Sequence, residues 1–372
     1  MLRENEGVVA MQNKSLTMGS WVLGVMALGG AHAALGAAAG ASTCAPDGKT
    51  QFICGVSSPE DLINMPQTSW VVASGMSDPA THRSEIYVID AKTRAYKVVY
   101  PAAGAKVSHD KKTYGACPGP LPGETFGAHG IDLQPKGKGK FTLYAVNHAG
   151  RESIEVFDVD ATGALPALTW IGCAVLPAKA SGNGVVGLPD GGFITTNFKD
   201  PADTDAFKHM TDGKVTGEVL EWHPASGWSK LPDSAMSGAN GLALTPDGKS
   251  LYVAGWPGKN VTRWERSGGT WAKKESISTG ILTDNLRWMS DGSLLAGGQD
   301  SSMPAVFECR PPACRVGSAA IKIDVKTGKA TRLVQYAGSE GFEGGTTALE
   351  VGNEIWFGSF KGNRIARLPA PK

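Results

Sequence analysis

The chain has 372 residues, 49 of them glycine and 22 proline, with 36 Lys and Arg set against 35 Asp and Glu. A net charge of +1 creates no field that would draw in nucleic acid or an anionic membrane, so neither partner is expected. The length supports a large core, and the Gly and Pro content suits turn-rich β structure without reaching that of a disordered chain.

Residues 1–33 read as an export signal. Lys14 is its basic end, residues 21–28 its short apolar core, and Ala31-His32-Ala33 a small-x-small cleavage site. The residues before Met11 add nothing to this signal. The apolar run is far shorter than the ~20 residues a bilayer span requires. No later segment is long enough either, so no stable membrane span is expected once the signal is removed. Residues 34–45 form a linker, and 46–372 read as a single domain.

That domain is built from six similar units. Residues 60–63 lead into an apolar run at 70–73, and 129–133 lead through a Lys/Gly turn into 141–146. Residues 183–186 pass through Pro189-Asp190-Gly191 into 193–196, and 240–244 pass through Pro246-Asp247-Gly248 into 251–254. Residues 284–288 pass through Ser290-Asp291-Gly292 into 294–296, and 345–349 lead into 354–357. In the Pro-Asp-Gly turns, proline fixes φ, aspartate offers an acceptor and glycine tolerates positive φ. Third, edge-like strands are expected at 85–90, 154–158, 219–222, 261–265 and 320–324. A repeat of roughly 45–70 residues with this pattern predicts an all-β, six-bladed β-propeller. Only three strands can be drawn in the last unit, so residues 50–54 are expected to supply its fourth and close the ring. Long loops at 100–127, 197–214 and 299–317 are expected to shape the entrance of the central channel.

All six cysteines follow the signal, which suits a secreted or periplasmic protein. Pairing each with its neighbour in sequence (Cys44 with Cys54, Cys117 with Cys173, Cys309 with Cys314) is one of fifteen possibilities. No Cys/His set has zinc spacing.

Each unit carries a polar residue at the entrance of its first strand: Glu60, His129, Asn183, Asn240, Asp284 with Asn285, and Thr346. The innermost strands of a propeller line its channel, so these residues should converge. Carboxylates and amide carbonyls suit a hard cation held by oxygen, and the two negative charges match Ca²⁺. His129 heads the second inner strand and His148 ends the strand that follows it. Side by side, they could serve as a general base with its orienting partner. Asp284 is the competing base. Serine-hydrolase, HExxH, P-loop and dinucleotide motifs are all missing. Trp256, Trp288, Phe207 and Phe360 are candidates for an apolar pocket.

These motifs resemble the paraoxonase/arylesterase family, within the calcium-dependent six-bladed propeller lactonases that include gluconolactonase and regucalcin. The resemblance rests on Pro59-Glu60-Asp61-Leu62, Ala128-His129-Gly130-Ile131, Val146-Asn147-His148, Asn183-Gly184-Val185-Val186, Ala239-Asn240-Gly241-Leu242 and Thr283-Asp284-Asn285. It implies that Glu60, Asn183, Asn240, Asp284 and Asn285 hold one catalytic Ca²⁺. It also implies that His129 and His148 form a histidine dyad and that small-molecule lactones, or aryl esters, are hydrolysed. A second, structural calcium in paraoxonases uses the acid after the first Glu and an acid after the first Asn. Asp61 matches the former, but Gly184 stands where the latter belongs. Two other readings compete with this one. One is a strictosidine-synthase-like propeller without a catalytic metal, against which the oxygen ring argues. The other is a non-catalytic propeller that binds a ligand and uses calcium only to hold its ring.

Overall fold

The computed structural model describes residues 44–76, 84–122, 125–310 and 313–371. The expected export signal lies outside the described residues. The rest forms the expected ring of six antiparallel blades. Blade one comprises Pro59–Asn64, Trp70–Gly75, Glu85–Asp90 and Tyr96–Tyr100. Blade two comprises Ala128–Gly137, Lys140–Asn147, Ser153–Asp160 and Ala167–Val175, with the short Lys106–Val107 added in parallel to its outer edge. Blade three runs Ser181–Gly187, Phe193–Lys199, Glu218–His223 and Gly227–Lys230. Blade four runs Ala239–Leu244, Ser250–Gly255, Asn260–Ser267 and Thr270–Ser278. Blade five runs Leu282–Trp288, Leu294–Asp300, Gly317–Asp324 and Lys329–Tyr336. Blade six takes Phe342–Val351, Glu354–Gly362 and Arg364–Pro369 from one end of the domain and Gln51–Cys54 from the other.

The closing strand is where the sequence places it. Phe52 pairs with Ala366 and Ile53 with Ile365, and both side chains are buried. The third strands, expected as edges, are instead covered in blades one to five by a fourth, outer strand. Those outer strands carry little apolar signal because they are mostly wet. In Thr270–Ser278 only Trp271 and Ile277 are buried. The apolar faces of successive blades pack on one another, with Trp170, Trp264 and Trp356 fully enclosed.

One irregularity recurs in all six inner strands. Pairing with the second strand slips between Pro59 and Asp61, Ala128 and Ile131, Gly182 and Val185, Ala239 and Leu242, Thr283 and Leu286, and Gly345 and Ala348. A bulge leaves residues outside the ladder, bends the strand and re-aims side chains. Each slip falls on the polar entrance residue, so the ring turns Glu60, His129, Asn183, Asn240, Asp284-Asn285 and Thr346 out of strand pairing at one level.

The cysteines pair as Cys44–Cys54, Cys117–Cys173 and Cys309–Cys314. Of the two helices among the described residues, α1 (Ala206–Thr211) lies in the loop after the second strand of blade three, and α2 (Met303–Glu308) in the equivalent loop of blade five. Among the described residues no helix is long and apolar enough to cross a membrane.

Candidate active site at the channel mouth

A cavity of about 490 Å³ opens at the bulged end of the channel. Glu60, His129, Asn183, Asn240, Asp284 and Thr346 line it. Close blade contact brings them together. A Cβ on Gly130 would lie 2.2 Å from the Asn183 carbonyl oxygen, so only glycine lets blades two and three approach this far.

Three of the oxygens in this ring lack donors. Glu60 is buried; its Oε1 accepts from Asn285 Nδ2 at 2.7 Å, while Oε2 has no partner. Asn183 Oδ1 and Asn240 Oδ1 are also buried and unpartnered. Asp284 Oδ2 accepts from Gln299 Nε2 at 2.8 Å, and Gln299 Oε1 is itself held by Trp256 Nε1 at 2.7 Å. Burial pushes the Glu60 carboxyl well above its ordinary range, and the neighbouring Asp61 and Asp284 push it further. Burial likewise pushes Asp284 up to about 7, against the Gln299 hydrogen bond.

Buried oxygens are normally satisfied, and leaving one bare costs roughly 1–3 kcal/mol. Three bare oxygens beside two carboxylates that resist ionisation mark a place short of positive charge. Oxygen donors of this kind suit a hard cation. Among the described residues no group of three or more His, Cys, Asp and Glu is arranged to hold a metal, so amide oxygens would carry much of such a site. Asn285 fits less directly than expected. It presents its N–H to Glu60, and its amide would have to turn to offer oxygen there.

The two histidines meet as the sequence suggests. His129 Nδ1 and His148 Nε2 lie 2.8 Å apart. His129 Nε2 is 3.7 Å from Glu60 Oε1. Burial, with His148 adding to it, pushes the His129 imidazole down to about 3, so the ring is held neutral. The row extends to a residue that sequence reasoning missed. Both carboxylate oxygens of Glu152 lie 3.0 Å from His148 Nδ1, and Gly182 N–H donates to Glu152 Oε2 at 3.2 Å. The only signal was an acid four residues past His148, in a loop.

Below this level a cation already occupies the channel. The guanidinium of Arg287, on the inner strand of blade five, pairs with Asp61. It also donates to the carbonyls of Leu62 at 2.7 Å, Ile131 at 3.0 Å and Leu286 at 2.9 Å. Asp61 accepts from Leu62 N–H at 2.9 Å, Ile131 N–H at 2.9 Å and Thr347 Oγ1 at 2.8 Å as well. Its carboxylate has no lone pair to spare. A Cβ at Gly184 would meet Leu242 Cδ2 at 2.7 Å and the backbone at Gly241 Cα at 3.0 Å, so an acid there would have to push its neighbours aside. These residues do not fit a second, structural ion.

Aromatic side chains wall the outer part of the cavity. Phe207 on α1 and Phe307 on α2 meet with ring centroids 4.6 Å apart, and Trp256, Phe198 and Phe360 complete the wall. Phe207, Trp256 and Phe360 were expected there. Trp288 is not among them. Its indole donates to the Leu244 carbonyl at 2.8 Å and packs edge-on against Tyr252 between blades four and five.

No family model and no curated protein matches the chain. Solved structures do. A candidate gluconolactonase aligns over 87% of this chain and 92% of its own at 14% identity, with a TM-score of 0.53. A luciferin-regenerating enzyme aligns over 84% and 92% at 13% identity, with a TM-score of 0.51. A gluconolactonase from Xanthomonas campestris aligns over 87% and 89% at 14% identity, with a TM-score of 0.50. At these identities the likeness is one of fold: a gluconolactonase-like six-bladed propeller.

Proposed function

We propose that the protein is a calcium-dependent hydrolase of small-molecule lactones, with aryl esters as a secondary class, acting outside the cytoplasm after export. The observation that carries the reading is the facing of two features across one cavity: unpartnered buried oxygens on Glu60, Asn183 and Asn240, and a hydrogen-bonded His129–His148 pair. The disulfides and the export signal read from the sequence support the location.

Glu60, Asn183, Asn240 and Asp284 would hold the cation, with Asn285 joining after its amide turns. Bound there, Ca²⁺ would polarise the substrate carbonyl and offset the charge that develops on its oxygen. His129 Nε2 takes a proton from water as the water oxygen bonds to the carbonyl carbon. The ring C–O bond then breaks, and the same proton passes from Nε2 to the departing oxygen, leaving a hydroxy acid. His148 keeps the His129 ring oriented. Asp284 is less suited as base, because Gln299 already donates to its Oδ2. The aromatic wall favours substrates with an acyl-chain or aryl substituent over polar sugars.

The test is turnover on a panel of lactones and aryl esters with and without chelator, for the wild type, His129→Gln and Asp284→Asn. The expected outcome is chelator-sensitive lactone turnover, with kcat lowered about 10²–10⁴-fold by His129→Gln while calcium stays bound. Bound calcium without turnover on any substrate would make the protein a binding module. Turnover indifferent to chelator would favour a metal-free propeller enzyme. If His129→Gln turns over normally while a calcium-loaded Asp284→Asn does not, the base is Asp284.

A further inference from the structure

A neutral histidine carries one ring proton, and the hydrogen bond made by one nitrogen decides what the other can do. Three groups stand in a row: Glu152, His148 and His129. His148 Nδ1 faces both carboxylate oxygens of Glu152 at 3.0 Å. A lone pair there would point at negative charge, so that nitrogen holds the proton. In the neutral ring His148 Nε2 is then bare and accepts. At 2.8 Å from it, His129 Nδ1 must donate. His129 Nε2 is then bare and faces the cavity.

The opposite arrangement has a sponsor of its own. Glu60 Oε1 lies 3.7 Å from His129 Nε2 and would favour a proton on that nitrogen, which could then accept none from water. Two carboxylates thus compete for the tautomer from opposite ends of the row. Glu152 is closer and presents both oxygens, while Glu60 Oε1 is already occupied by the Asn285 amide at 2.7 Å here and would be engaged by the cation in the loaded site. Glu152 is itself fixed by the Gly182 N–H. Arg151, the nearest cation in sequence, does not neutralise it, because its guanidinium is committed to Glu155 and the Gly119 carbonyl.

We infer that Glu152 is a positioning residue that sets the tautomers of both histidines and so keeps His129 Nε2 free to accept a proton. Its catalytic consequence rests on the hydrolase reading above, but the tautomer does not. The experiment is ¹⁵N NMR of histidine-labelled protein, with and without calcium, with His129→Gln and His148→Gln used for assignment. In the wild type His129 should carry its proton on Nδ1 and His148 on Nδ1. Glu152→Leu should move the His129 proton to Nε2 or average the two forms. Glu152→Gln, whose amide oxygen can still accept from His148, should keep the wild-type pattern.

In kinetics Glu152→Leu should lower kcat by about 10²–10⁴-fold, the scale of a wrong tautomer in a histidine base, with KM and calcium content near wild type. Glu152→Gln should restore most of that loss. A wild-type His129 protonated on Nε2, or a Glu152→Leu spectrum like the wild type, overturns the inference. The expected spectra in a protein that hydrolyses nothing would support the inference and refute the hydrolase reading instead.

Discussion

Replacing Arg287 with methionine removes the cation at the hub of the ring while keeping an unbranched side chain of similar reach. Asp61 keeps its donors from Leu62, Ile131 and Thr347 but loses its counter-charge, with a side chain only 2% exposed. Stranding one partner of a buried ion pair costs about 3–5 kcal/mol. The carbonyls of Leu62 and Ile131 lose their guanidinium donors as well, which adds to it. At about 1.5 °C per kcal/mol for a domain of this size, the melting temperature should fall by at least about 4 °C. The assay is calorimetry or denaturant unfolding of Arg287→Met, Asp61→Asn and the double variant. The double variant should recover a good part of the loss, because it leaves no uncompensated charge. A melting temperature within about 2 °C of wild type for Arg287→Met would refute this account of the hub, as would a double variant no more stable than Arg287→Met.

The buried carboxyls predict a pH dependence with a definite sign. Glu60 and Asp284 titrate above their unfolded values, so the metal-free fold binds more protons than the unfolded chain, and this contribution to stability weakens as pH rises, the Asp284 share being lost through about 7. Melting of metal-free protein should therefore be higher at pH 6 than at pH 8, and saturating calcium should remove or reverse the difference; equal slopes with and without calcium would contradict it. Calorimetric titration should show calcium bound more weakly by Glu60→Gln and Asp284→Asn than by Asn183→Ala, since only the first two lose a charge. Phe207→Ala should raise KM about 3–10-fold for lactones with long acyl or aryl substituents, less than a fully buried aromatic side chain would give because Phe207 is 39% exposed, and leave an unsubstituted small lactone nearly unchanged.

The parts of the fold that the sequence displays are those where burial and turn chemistry coincide. The first two strands of each blade have apolar alternation and, in several blades, an Asp-Gly turn between them, so their polar entrances stand out. The closing strand near Phe52 is legible from a missing strand at the other end. The outer strands are not, because their exposed residues leave a pattern shared with loops. Glu152 was hidden for a different reason: it acts through His148 and stands in no motif. Arg287 reads in sequence as one polar residue beside Trp288, and nothing local reveals that four oxygens from three blades close on it. Trp288 packs between blades and does not line the pocket, because an indole in a propeller serves packing as readily as a pocket and only the register decides which.

Closing the sixth blade with the first strand sets an order on folding. Among the described strands Gln51–Cys54 is made first, and the strand it pairs with, Arg364–Pro369, is made last. At about 5–20 residues per second, the opening strand waits roughly 15–60 s with an unpaired edge. Five blades can form from local hairpins, but the ring is sealed by the longest-range pairing among the described strands, the slowest kind to form. A ribosome-bound or C-terminally shortened chain would therefore hold an open arc with two free edges, and those edges would be the first places for one copy to pair with another.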